Sequence, residues 1–231
     1  GGLLHAPEIP PGPMSVEEQR LLYGWWPIRI QGETSFGQSD FYAPLGCGSG
    51  GTTVHYGAQL ERFARSDFSP RQNFPDVKGT NLPDQWPVSH ETMVPYYRAA
   101  ESLFDICGTQ DLLNMDEGAN LRVPPPLGER DQVLHDSFMD LGLHPYRAHV
   151  GYEYVTECFE CTDICPKRCK KEAGEVCLVP ALSEFGAQIL PECEVEELIS
   201  DRQRVTGIRA VRHGKEIVIR ARTVVLAAGA Y

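Results

Sequence analysis

Five glycines fall within the thirteen residues "GCGSGGTTVHYGA" at 46–58, and no other stretch restricts the fold as much. Glycine inside a helix or strand costs roughly 0.5–1 kcal/mol against alanine, so the segment reads as irregular chain with a tight turn. What it offers is bare backbone that can approach something flat or anionic closely. Gly46, Gly48 and Gly51 satisfy the pattern GxGxxG, which in a strand–turn–helix unit would set a pyrophosphate on a helix N-terminus. The context does not match. The preceding "QSDFYAPL" is not a β-branched buried strand, and "TTVHYGAQLERF" opens no convincing crossover helix, so the glycines alone do not make a nucleotide fingerprint.

The surrounding elements are read from periodicity and caps. "GWWPIRI" at 24–30 is the plausible strand before the glycines. Ser89 can N-cap a helix through "HETMVPYYRAAESLF", with Met93, Tyr96, Tyr97, Ala100 and Phe104 as its core face. A second, surface helix runs from Arg130 to Leu141, with Gly142 where a C-cap belongs. "CLVPALSEFGA" reads as a short helix ended by Gly186, and "QIL" and "EVEELIS" as strands. The tail alternates apolar and polar residues around a turn near Gly214, giving a hairpin that leads into "TVVLAAG". That continuous apolar run carries the mark of a parallel strand buried on both faces. A buried strand two residues from the chain end, and a start without Met, read as an internal fragment of a longer protein.

The cysteines exclude a disulfide scaffold. Cys47, Cys107 and Cys193 are scattered, whereas Cys158, Cys161, Cys165, Cys169 and Cys177 crowd into twenty residues. In a 231-residue chain that favours metal ligation, redox work or plain buried thiols in a reducing compartment. With no basic n-region or apolar h-region at the start, no signal peptide is expected and a cytoplasmic setting is favoured. The formal net charge of −11 opposes a nucleic-acid partner, and "PKRCKK" at 166–171, whose "KRCKK" run is expected to face solvent, is too short to reverse it. No apolar run approaches the ~18 residues a membrane span needs.

Four segments in order carry a resemblance to a known family: "GCGSGGTTVHYGAQLERFARSDF", "WPVSHETMVPYYRAAESLF", "CPKRCKKEAGEVCLVPALSEFGA" and "CEVEELISDRQRVTGIRA" with "ARTVVLAAGA". Together they resemble the glucose-methanol-choline (GMC) flavin oxidoreductases, in the branch that writes its second glycine motif as GG, three residues, then His and an aromatic. The resemblance implies an α/β fold, an FAD-binding sheet domain that is incomplete here, with an α+β substrate-side cap. It divides the chain into residues 1–70 with the flavin-contacting glycine loop, 71–155 with the cap helices, and 156–231 with the cysteine cluster and the return to the FAD-binding domain. The family's N-terminal βαβ unit and its C-terminal segment with the catalytic His are not in this sequence.

The same resemblance assigns residues. Gly50, Gly51, Thr52 and Thr53 would line the flavin and pyrophosphate, and His55 would lie against the flavin ring, covalently joined to it or packed beside it. Val195 would pair its backbone with the adenine, its plain alternative being a core strand valine. Ala228 and Gly229 would let the ligand approach the sheet's carboxyl edge. Cys158, Cys161 and Cys165, with Pro166 after the third, lie near ferredoxin-like spacing but off by one. They are similar to the "C, three residues, C-P" element of family sugar dehydrogenases that hold an iron–sulfur cluster. An Fe–S site, structural thiols and zinc all stay open.

The implied reaction is hydride transfer from the CH–OH carbon of a small alcohol, polyol or sugar to FAD, with an unspecified electron acceptor. None of the seven histidines (His5, His55, His90, His135, His144, His149 and His213) sits in the family's catalytic context, so the base is expected outside this chain. Two other classes remain: an Fe–S or zinc-binding electron-transfer module, and a non-catalytic fragment that needs a partner chain.

Overall fold

The computed structural model describes residues 10–114, 118–155, 158 and 169–229. Helices and strands are mixed, and the chain separates into two compact units, 1–184 and 185–231. The divisions expected near residues 70 and 155 both fall inside the first.

In the first unit, helix α1 (Val16–Leu22) starts at a capping box: Ser15 Oγ accepts from Glu18 N–H, and the Glu18 carboxylate accepts from Ser15 N–H. Strands β1 (Ile30–Thr34) and β2 (Gly37–Phe41) form an antiparallel hairpin. The strand expected at 24–30 therefore begins only at Ile30. Pro27 interrupts the earlier run, and Trp25 makes an isolated bridge to Gly46 instead. The glycine stretch ends in a 3-10 turn, Gly51–Val54, followed by a second at Arg65–Phe68 and the short helix α2 (Pro70–Asn73).

Helix α3 (His90–Leu103) begins as expected, with Ser89 Oγ accepting from Thr92 N–H. Its buried face differs from the apolar one expected. His90, Val94 and Glu101 are buried, while Tyr96 is 66% exposed and Ala100 is exposed. Two polar residues take core positions because each has a partner there: Glu101 meets Arg62, and His90 meets the edge of Phe68. Helix α4 (Glu129–Asp140) buries none of its residues, in keeping with a surface helix. It closes with Gly142 N–H on Met139 O and Leu143 N–H on Phe138 O, Gly142 having φ +76°.

The core of this unit gathers around Cys107, which bridges to both Arg122 and Val150. Ala43, Ala58, Phe68, Val94 and Ile106 are also buried. Burial, the largest influence on the Cys107 thiol, pushes its pKa up, so this cysteine is a packed thiol and not a reactive one. A π-helical turn, Gly174–Leu178, leads into helix α5 (Val179–Glu184), and Gly186 follows as expected.

The second unit is a three-stranded antiparallel sheet of β3 (Cys193–Ser200), β4 (Val205–Arg212) and β5 (Lys215–Arg220), in that order. The β4–β5 turn is His213–Gly214, where the sequence places it. Residues 188–190 form no strand, and neither do residues 223–229. The latter is a correction: Val225 is 79% and Leu226 74% exposed. A continuous apolar run marks a strand only if another strand pairs with it, and no described strand pairs with this one.

Candidate functional site

The glycine loop is built by close backbone contacts. Trp26 N–H donates to Leu45 O (2.8 Å) and Cys47 N–H to Gly24 O (2.6 Å), tying the loop to the chain after α1. Gly46 N–H donates to Thr52 Oγ1 (3.0 Å), folding the loop onto itself. A Cβ at Gly46 would stand 2.4 Å from the Gly51 carbonyl and 2.5 Å from Thr52 N, so only glycine fits. Gly50 and Gly51, at φ +93° and +58°, turn the chain into the 3-10 segment. At Gly48 and Gly51 an added Cβ meets nothing within 4 Å. The loop thus offers bare backbone to open space, which fits a flat or anionic group.

Thr53 Oγ1 donates to Gly50 O (2.6 Å) and accepts from Ala173 N–H (3.1 Å). The His55 ring is 7% exposed and stacks on Trp25 at 3.7 Å between centroids and 15° between planes. Its Nε2 lies 3.3 Å from Gly24 O. Trp25 therefore occupies one face of the ring expected against the flavin.

Residues 170–175 form the back wall of the loop. Tyr56 O–H donates to Lys171 O. The buried Glu172 carboxylate accepts from Gly174 N–H (2.7 Å) and Glu175 N–H (2.8 Å). A Cβ at Gly50 would strike that carboxylate at 2.5 Å. The solvent-facing reading of "KRCKK" is overturned where that run is described. Cys169 and Lys170 are each 3% exposed, because the segment pairs in sheet fashion with the chain at Tyr152 and packs its side chains beneath the loop.

The same packing perturbs Tyr56. Burial, with the Glu172 charge adding to it, pushes the phenol up to about 12. The neutral phenol is the form the fold accommodates, so its contribution to stability is intact below the ordinary phenol value near 10 and is lost as pH rises toward 12. In an ultraviolet titration Tyr56 should ionise late among the tyrosines. Tyr56→Phe should remove that late step, and a titration unaltered by the substitution would refute the assignment.

A second polar cluster, which the sequence reading missed, surrounds a cavity of about 240 Å³ lined in part by Glu61, Asp67, His90, Asp111, Tyr146 and His149. His149 is 6% exposed, with Nδ1 3.0 Å from Glu61 Oε2 and Nε2 3.0 Å from Thr109 O. Single polar residues drawn from loops, a 3-10 turn and the start of α3 give no periodic signal, and only the fold brings these together.

The other expected site residues lie elsewhere along the chain. Val195 lies on β3, 52% exposed, opposite Ala210. Ala228 and Gly229 follow the sheet in the second unit. Cys158 is half-buried, while Cys161 and Cys165 lie outside the described residues. Among the described residues no group of three or more His, Cys, Asp or Glu is placed to hold a metal, and no helix is long and apolar enough to cross a membrane.

Comparison with known proteins gives two findings. The family model described as GMC oxidoreductase matches residues 34–231. A paromamine 6'-oxidase of Streptomyces fradiae is 30% identical over 97 residues, a stretch that takes in 42% of this chain and 16% of that protein.

Proposed function

Because the chain belongs to the GMC oxidoreductase family, we propose that it is part of an FAD-dependent oxidoreductase that oxidises a CH–OH group of a small alcohol, polyol or sugar. The oxidase of Streptomyces fradiae, similar over part of the chain, supports an oxidoreductase reading. FAD, when bound, supplies the hydride acceptor. The residues of the first unit that would hold it are Gly50, Gly51, Thr52 and Thr53, with His55 toward the ring. The observation that carries the reading is the uncovered backbone at Gly48 and Gly51, inside the matched stretch.

In this reading the chain's own residues bind and orient. The backbone at 48–51 admits a close flat or anionic surface. Thr53 and the 3-10 turn fix the loop, and Trp25 fixes the plane of His55. The group that takes the substrate hydroxyl proton is expected outside these residues.

Gly51→Trp in the full-length protein tests this. The side chain enters the open space, and the positive φ adds roughly 1–2 kcal/mol of strain. FAD binding, followed by flavin absorbance, should weaken by about 100-fold or more, some 2.7 kcal/mol, with the far-UV spectrum retained. A folded Gly51→Trp protein that takes up FAD like the parent would refute the loop as the flavin site. An unaltered flavin spectrum in His55→Ala would refute the His55 contact alone.

A further inference from the structure

Lys170 is a charged residue in a place where charge is costly. It is 3% exposed, and lysine is almost never fully buried unless paired, because removing an ammonium from water costs several kcal/mol. Its Nζ donates to Val54 O (2.7 Å) and Tyr56 O (3.1 Å), the two carbonyls on either side of His55. Nζ also lies 5.8 Å from the centroid of the Tyr56 ring. The base of the lysine is itself held: Lys171 N–H donates to Gly151 O (2.7 Å) and Glu153 N–H to Cys169 O (2.8 Å).

We propose that Lys170 is a positioning residue for His55: its ammonium clamps the carbonyls of residues 54 and 56 and so sets the angle at which the imidazole meets Trp25 and whatever the loop binds. The structural reason is local. The Val54 carbonyl lies in the peptide plane that enters His55 and the Tyr56 carbonyl in the plane that leaves Tyr56, so holding both pins the ends of the two-residue stretch His55–Tyr56 and restricts the direction of the His55 Cα–Cβ bond. Two charge-assisted hydrogen bonds hold those planes more firmly than neutral ones would. The clamp also joins the cysteine-bearing segment to the glycine loop, because Lys170 directly follows the buried Cys169. The expected consequence for FAD rests on the proposed function; the clamp on His55 does not.

The test uses the full-length protein. In the unmodified protein without flavin, NMR should detect a slowly exchanging lysine ammonium correlated across hydrogen bonds to the carbonyl carbons of residues 54 and 56. Its absence would overturn the clamp however any variant folds. In Lys170→Met the His55 ring and Trp25 indole resonances should move while those of His149 stay in place. A folded Lys170→Met protein with unmoved His55 and Trp25 resonances would also overturn it. FAD affinity in that variant should fall by about tenfold or more. Moved resonances with unchanged FAD affinity would uphold the clamp and count against the loop as the flavin site.

Discussion

Glu101→Ala is expected to lower the stability of the protein by about 3–5 kcal/mol, the cost of leaving a buried charge without its partner. Glu101 accepts from Arg62 Nε at 2.5 Å and Nη2 at 2.8 Å, a two-point contact, and from Asn120 N–H at 2.7 Å. The two side chains are 10% and 4% exposed, so water can neither screen the pair nor replace it. One carboxylate therefore joins the chain after the glycine loop, helix α3 and the segment that pairs with Cys107. Glu101→Gln keeps the shape and removes the charge, and it should cost nearly as much, because Arg62 stays charged in the same place. Urea unfolding of both variants measures this. Losses below about 1 kcal/mol, the range of an exposed pair, would show that the contact does not hold these elements together.

Gly46→Ala should be the most damaging single-methyl change in the glycine loop. The new Cβ would lie 2.4 Å from the Gly51 carbonyl and 2.5 Å from Thr52 N, and both are backbone, which cannot swing aside. Relief requires the two halves of the loop to part, stretching the Gly46 N–H to Thr52 Oγ1 bond. Overpacking of this kind costs about 1–3 kcal/mol, occasionally more. If the loop is the flavin site proposed above, FAD affinity should drop by about 100-fold or more, because the uncovered backbone at Gly48 and Gly51 loses its arrangement. Gly57→Ala is the matched control: its Cβ would meet nothing within 4 Å, and its effect should stay within about 0.5 kcal/mol. Melting curves and flavin titration of the two proteins compare them. A Gly46→Ala protein that behaves like Gly57→Ala would sink the argument.

The features legible in the sequence are those fixed by near neighbours. Ser89 caps α3 through a residue three positions on, Gly142 closes α4, and His213–Gly214 turns the second hairpin. The family resemblance rests on ordered local motifs of the same kind. What escaped reading depends on distant partners. The buried face of α3 includes Glu101 because Arg62 waits 39 residues away, and apolar periodicity does not count a glutamate as core. Lys170 looks like part of a solvated basic run until the carbonyls of residues 54 and 56 are placed beside it. Strand β2 is exposed throughout and Phe36 at the hairpin tip is 99% exposed, so no alternation announced that hairpin. Residues 223–229 show the converse, an apolar run without a described pairing strand.

The back wall of the glycine loop carries a consequence for how the loop acquires its shape. Lys170 reaches Val54 across 116 residues of chain and Tyr56 across 114. Closing a chain loop of that length costs roughly 4 kcal/mol of entropy beyond a constant, so the wall comes to the loop only with the folding of the chain between them. A peptide of that stretch, however faithful its glycines, would sample many turns, and a piece ending before Lys170 would lack the wall that selects one. The loop is short in sequence, yet its conformation belongs to some 120 residues acting together.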